Sequence, residues 1–322
     1  MRRSIFIASL FTIVYAISIE VPTLQAQPYP SHPIQLVIPS APGDGTDIAA
    51  RLFAEELTKI LRVSVVPFNK PGASATLGTD MVVKSKKDGY TLLYANASAV
   101  VYARASDPDV VPYDPVKDLE PLGFHTFFPT VTCLRTEAQW KDFLEFREYA
   151  KKNPGKISYA TRGTNTIDHV QWEMMKAIVG VEMTSIPFKG VGAMTTALLG
   201  GHVDAASSPL GVFESQSGKM RAILLDQSVP DFPNIPTLQQ LGYKRGIPSP
   251  WTALFAPIGI TEEVKKVLVT AIEKAIKTPD LMSKMEKMRY VPGYKPPAEL
   301  KSLMVDDYES ALAVFKKSVT TK

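Results

Sequence analysis

Ser40-Ala41-Pro42-Gly43-Asp44-Gly45-Thr46-Asp47 lies between a short apolar run, Ile34-Gln35-Leu36-Val37-Ile38, and a segment in which Ile48, Leu52, Leu57, Ile60 and Leu61 recur at helical spacing. The pattern reads as strand, glycine loop, helix, with Thr46 and Asp47 as N-cap candidates. Glycines let such a loop turn tightly with its N–H groups exposed, and the helix N-terminus behind them favours an anion. Capped helices follow strands in every α/β protein, so this loop alone leaves a purely structural role open.

The alternation continues along the chain. Val63 to Phe68 reads as a strand, Leu77 to Lys84 as a helix and Tyr90 to Tyr94 as a third strand. Strands alternating with helices predict an α/β protein with mainly parallel sheets flanked by helices. Asn96 and Ser98 follow the third strand at its C-terminal end, where ligands bind in such sheets. Pro108 to Pro121 is rich in Pro and Asp and reads as irregular surface. Thr130 to Leu134 then predicts a strand and Trp140 to Lys152 an amphipathic helix.

After that helix the opening pattern recurs. Lys156 to Ala160 is a strand, Thr161-Arg162-Gly163-Thr164-Asn165-Thr166 a polar loop, and Asp168 to Val179 a helix. Val66-Pro67-Phe68-Asn69-Lys70-Pro71-Gly72-Ala73 is echoed by Ile186-Pro187-Phe188-Lys189-Gly190-Val191-Gly192-Ala193, which supports two similar lobes. Ala197 to Ala206 ends a helix and begins a buried strand, and Ser207 lies beyond that strand's end. Trp251 to Pro257 reads as a strand returning to the first lobe, and three C-terminal helices cover it.

The chain has 322 residues, 45% hydrophobic and 21% charged, enough for two domains with their own cores. A formal net charge of +4, with Lys and Arg scattered along the chain, argues against nucleic-acid binding. Met1-Arg2-Arg3 followed by the mostly apolar stretch from Ser4 to Ile19 predicts a secretory signal peptide over residues 1–26, cleaved after Ala26. Cys133 is the single cysteine, so no internal disulfide forms, which suits a bacterial periplasm. It sits in an apolar strand and reads as core.

Catalytic constellations do not assemble. The chain carries no nucleotide P-loop, no dinucleotide fingerprint and no nucleophile elbow, and His32, His125, His169 and His202 lack zinc-motif spacing. What the loops share is N–H groups, hydroxyls and helix N-termini: Gly43 to Thr46, Ser98, Thr161 to Thr166, Gly190 and Ser207. Arg162 adds a side chain suited to a bidentate carboxylate contact, with a solvated surface arginine as the alternative. A helix-dipole contact contributes about 0.3–1 kcal/mol, up to ~2 when partly buried. Micromolar binding needs about 8 kcal/mol. Two helix ends therefore require the closure of both lobes to supply the rest.

Further motifs stand in order. Tyr29-Pro30 precedes the first strand, and Pro42-Gly43-Asp44-Gly45-Thr46-Asp47-Ile48-Ala49-Ala50-Arg51 follows it. Then come Asn69-Lys70-Pro71-Gly72-Ala73, Asp88-Gly89-Tyr90-Thr91-Leu92-Leu93 and Pro112-Tyr113-Asp114-Pro115-Val116-Lys117-Asp118. Asn153-Pro154-Gly155-Lys156, Pro187-Phe188-Lys189-Gly190, Leu199-Gly200-Gly201-His202-Val203-Asp204 and Pro233-Asn234-Ile235-Pro236-Thr237 complete the series. In these residues the chain resembles the substrate-binding proteins of tripartite tricarboxylate transporters, the Bug family of periplasmic receptors.

The resemblance implies a two-lobed periplasmic-binding-protein fold, type II-like, that closes on a small organic carboxylate and delivers it to integral-membrane transporter subunits. Some members of that family act in sensing instead of uptake. The lobes are expected at 27–128 plus 251–322 and at 129–250, hinged near Phe127 and Trp251. The resemblance further implies that carboxylates are held through N–H groups, hydroxyls and bridging waters of the first loop (Ser40, Ala41, Gly43, Asp44, Thr46, Asp47) and of Thr161, Arg162, Gly163, Thr164, Asn165 and Thr166. Asn96, Ser98, Lys189, Gly190, Asp204 and Ser207 complete the candidate site. The expected protein is a periplasmic monomer without cofactor, metal or nucleic acid. A secreted enzyme on this architecture, using His169 or Asp204 as acid–base, is the rival reading. Two departures from the family stand out. The family usually has glycine where Asp44 stands, which leaves that carboxylate to point away or to face a ligand hydroxyl or amine. Arg162 stands where a small residue is common, which leans towards a dicarboxylate.

Overall fold

The computed structural model describes residues 28–163, 166–216 and 218–320. The expected signal peptide lies outside the described residues. From the N-terminus the chain forms β1 (Ile34–Ile38), α1 (Gly45–Leu61), β2 (Val65–Asn69), α2 (Thr76–Val83), β3 (Thr91–Asn96), a π-helical turn (Ser98–Tyr102), α3 (Ala103–Ser106), α4 (Pro115–Asp118) and β4 (Leu119–Phe127). It then crosses into a second layer: β5 (Thr130–Arg135), α5 (Phe143–Lys152), β6 (Ser158–Thr161), α6 (Ile167–Val179), β7 (Thr184–Pro187), α7 (Val191–Leu199), β8 (Ala205–Pro209), α8 (Leu210–Ser215) and β9 (Met220–Leu225). It returns through β10 (Trp251–Pro257), α9 (Glu262–Ile276), α10 (Pro279–Lys287), β11 (Val291–Lys295) and α11 (Pro297–Thr320).

Two sheets result, in the orders β11-β4-β10-β3-β1-β2 and β7-β6-β8-β5-β9. Both are mixed, which corrects the expectation of mainly parallel sheets. β1 pairs in parallel with β2 and β3, but β10 runs antiparallel to both β3 and β4, and β11 antiparallel to β4. In the second sheet β6 is parallel to β7 and β8, while β5 is antiparallel to β8 and β9. The antiparallel strands cluster around the crossings, because a strand returning from the other lobe enters from the opposite end of the sheet. β4 overlaps the segment read as irregular. Its Pro121 disguised it, and Pro121 falls at a register shift against β10 and beyond the end of β11, where its missing N–H leaves no ladder bond unmade.

Each sheet buries both faces, and successive strand residues point to opposite ones. Ile34, Leu36 and Ile38 pack beneath α1 and α9, whereas Val37 joins Leu93 and Ala95 on the opposite face. In the second sheet Tyr159 and Ala205 belong to one cluster, and Cys133, Ala160 and Ala206 to the other. Cys133 is core as expected, with its thiol pushed up to about 12 by burial. Helix α6 serves both lobes. Ile167, Val170 and Met174 enter the first lobe's cluster, while Trp172, Met175 and Val179 enter the second lobe's. Among the described residues no helix is long and apolar enough to cross a membrane.

Candidate functional site

The two crossings run side by side where the sheets meet, with the Phe128 N–H donating to the Pro250 carbonyl at 2.8 Å. In front of them opens a cleft of 540 Å³ lined from both lobes. Its first wall is the loop between β1 and α1. Asp44, and not Thr46 or Asp47, is the N-cap of α1: its Oδ1 accepts from the Asp47 N–H at 2.9 Å and from the Ser40 hydroxyl at 3.0 Å. Gly43 holds φ +83°, a conformation that favours glycine, and its N–H donates to Asp47 Oδ2 at 2.8 Å. Asp47 also takes Arg51 Nε at 3.0 Å and Asn69 Nδ2 at 2.8 Å. Burial raises its pKa, but Arg51, Gly43 and Asn69 outweigh that and hold it below the usual carboxylate range.

Asp44 is open to the cleft, yet the protein packed around it raises its carboxyl above the ordinary range, an effect that the bonds from Asp47 and Ser40 only partly offset. Asn96 Nδ2 donates to the Thr46 hydroxyl at 3.1 Å, which ties the end of β3 to the first turn of α1. Thr46, Asn96 and Ser98 all line the cleft with Gly43 and Asp44.

The opposing wall comes from the loop before α6. Asp168, buried at 3% exposure, accepts the Arg162 N–H at 2.5 Å and Arg162 Nε at 2.7 Å. Arg162 lines the cleft with 40% of its side chain exposed, and its guanidinium pairs with Asp168. Gln171 forms the floor. Its Nε2 donates to the Thr130 hydroxyl at 2.7 Å and to the Pro248 carbonyl at 2.8 Å, and its Oε1 accepts from Ser207 at 2.7 Å. One buried amide thus ties both crossings and β8 together.

Of the expected residues, Gly43, Asp44, Thr46, Asn96, Ser98, Arg162 and Ser207 line the cleft. Others stand behind it. Ser40 and Asp47 hold the first loop, and Ala41 is exposed outside the lining. Thr161 is fully buried and accepts the Gly163 N–H, and Thr166 donates to the Gly163 carbonyl at 2.7 Å, so these three shape the second loop from within. Thr164 and Asn165 lie outside the described residues. Lys189 is exposed and Gly190 caps α7, so α7 contributes Val191 and Met194 to the lining instead. Asp204 lies before the start of β8 and accepts from Ser158 N at 2.8 Å and Ser158 Oγ at 2.9 Å. Neither Asp204 nor His169 lines the cleft.

The cleft also contains residues that no motif pointed to, among them Phe128, Thr130, Gln171, Arg289 and Tyr290. Arg289 and Tyr290 come from the turn between α10 and β11, which reaches the cleft only once the C-terminal helices have folded over the first sheet. The crossings expected near Phe127 and Trp251 were the available signal for Phe128 and Thr130, which sit beside the first of them.

Residues 49–318 match the model of the tripartite tricarboxylate transporter family receptor. Protein BugT of Bordetella pertussis is 29% identical over 99% of this chain and 98% of its own. A solved periplasmic transporter superposes with a TM-score of 0.76 at 31% identity, covering 90% of this chain and 98% of that one. MatC from Rhodopseudomonas palustris, solved with bound malate, gives 0.74 at 27% identity, covering 89% and 100%.

Proposed function

The chain belongs to the tripartite tricarboxylate transporter receptor family, and on that premise we propose that it is a periplasmic solute-binding receptor, not an enzyme. It captures a small organic carboxylate between its lobes and passes it to membrane subunits of a tripartite transporter. The observation that carries this reading is the cleft beside two hydrogen-bonded crossings, lined by residues before and at the start of both α1 and α6; we assign its two sides to lobes 27–128 plus 251–322 and 129–250. MatC, 27% identical, was solved with malate, a small carboxylate, which supports the ligand class. Closure about the crossings places the loops, hydroxyls and amides on the ligand together and gives the transporter a closed form to recognise. Export would follow from the basic and apolar residues 1–26. The protein acts as a monomer and has no use for nucleic acid.

A thermal-shift screen over mono-, di- and tricarboxylates and amino acids tests this. A ligand at one hundred times its Kd stabilises the folded protein by about 2.7 kcal/mol. Binding at one equivalent per chain with the ligand recovered unchanged is the expected result. Turnover of the ligand, or no stabilisation by any carboxylate, overturns it.

A further inference from the structure

The charged side chains lining the cleft are Asp44, Arg162, Asp168 and Arg289. Both cations are already matched by carboxylates of this chain. Arg162 binds Asp168, and Arg289 reaches Glu214 and Asp231, each at 2.7 Å. Asp44 is different. Its bonds come from a hydroxyl and from N–H groups at the start of α1, and the neighbouring charge it feels is the repulsive one of Asp47. The cleft therefore offers an incoming ligand one unmatched anion and no unmatched cation among the described residues.

The surroundings of Asp44 have a second property. Gly45, the next residue, packs against an aromatic pair. A side-chain carbon at Gly45 would stand 2.9 Å from the Tyr290 hydroxyl and 3.7 Å from Phe128 Cε1. Those two rings meet edge to face at 4.4 Å, and both line the cleft. The Tyr290 hydroxyl is raised above its ordinary range by burial first and then by the charge of Asp44, as their proximity requires. A carboxylate with a tyrosine hydroxyl close by is a setting that recognises an alkylammonium group, through charge-assisted hydrogen bonds to the carboxylate and to the hydroxyl oxygen, with Phe128 packed against the Tyr290 ring. A ligand carboxylate in the same place would meet the carboxylate that already occupies the N-terminus of α1.

We propose that Asp44, Tyr290 and Phe128 form an ammonium subsite, so that the ligand is a small amino-carboxylate and not a plain dicarboxylate. The inference rests on the receptor reading above and names its ligand class. The amine lies at the first loop, and the carboxylate is left to the uncharged donors of the cleft, Thr46 and Ser98 among them.

Calorimetric titration with pairs differing only in an amine tests the subsite: propionate and alanine, succinate and aspartate, glutarate and glutamate. The wild-type protein is expected to bind the amino member of at least one pair roughly tenfold or more tightly, the worth of a charge-assisted hydrogen bond. Asp44→Asn keeps a side chain that caps helices well, so it folds with an unchanged melting temperature while losing the charge. In that variant the preference for the amine collapses towards unity, and Tyr290→Leu reduces it in the same direction. Equal or tighter binding of the plain acids by wild type, or a preference that survives Asp44→Asn, overturns the subsite and leaves the receptor reading standing. If no carboxylate of any class binds, the receptor reading fails and takes the subsite with it.

Discussion

Asp226 lies just past the end of β9, and its Oδ2 accepts from the Thr130 N–H at 3.1 Å and the Thr130 hydroxyl at 2.9 Å. It thereby fastens the first crossing to the second lobe's sheet. Only 4% of it is exposed, and burial pushes its carboxyl up to about 7, against the opposing pull of the Thr130 bonds. The folded protein therefore keeps a proton that the unfolded chain releases above about 4. The stability linked to this group is fully present below that value and is lost as pH rises to about 7. The whole effect is on the order of 4 kcal/mol. Asp226→Asn is expected to flatten this slope, so that its melting temperature gains on wild type between pH 5 and pH 8; a gap independent of pH would refute the assignment. His125 acts in the opposite sense. Burial lowers its pKa to about 3, so its contribution is present above about 6.5 and lost as pH falls. Neither residue was legible in the sequence, since an Asp after a strand and a His within one carry no mark of burial.

Helix α6 was legible as an element, and its two loyalties were not. Ile167, Val170 and Met174 recur at one helical spacing and Trp172, Met175 and Val179 at another, so the apolar surface wraps further round than a single core needs. Trp172 stacks on Tyr159 at 4.6 Å within the second lobe. Trp172→Ala should cost about 3–5 kcal/mol in urea unfolding. Val170→Ala, which removes two methyl groups from the contact with the first lobe, should cost roughly 2 kcal/mol. Equal costs would show that the helix does not divide its faces in this way. The strands tell the complementary story. β1, β3 and β5 were read near their observed limits because apolar runs bounded by turn residues mark them. β4 and β11 escaped because Pro121, Pro292 and Gly293 interrupt their patterns.

Across the whole molecule the lobes are joined by the crossings, by α6 and by Arg289. Arg289 follows α10 in the left-handed conformation at φ 62°, where glycine is the ordinary occupant and another residue costs about 1 kcal/mol. Its guanidinium nevertheless spans the cleft mouth to Glu214 of α8 and to Asp231. Arg289→Gly relieves the backbone and removes this latch. Folding stability should hardly change, while ligand affinity falls roughly twofold to tenfold, as expected for two exposed ion pairs that hold the closed form. The difference from wild type should shrink in high salt. Unchanged affinity at low salt would exclude a part for Arg289 in closure.

The sequence by itself determined the family and the two α/β lobes, and it named six first-loop residues of which Gly43, Asp44 and Thr46 line the cleft, because local spacing and turn chemistry are written in neighbouring positions. Ser40, Asp47 and Asp204 could not be told from ligand-facing groups on that basis, since a loop's scaffold and its surface use the same residue types. Tertiary structure alone decided that Arg162 is matched by Asp168, that Asp44 is not matched by any cation among the described residues, and that Phe128 and Tyr290 pack beside Gly45, the next residue. The physical reason is that charge compensation depends on distances between segments far apart in the chain, and those distances exist only once the two sheets and the C-terminal helices have packed.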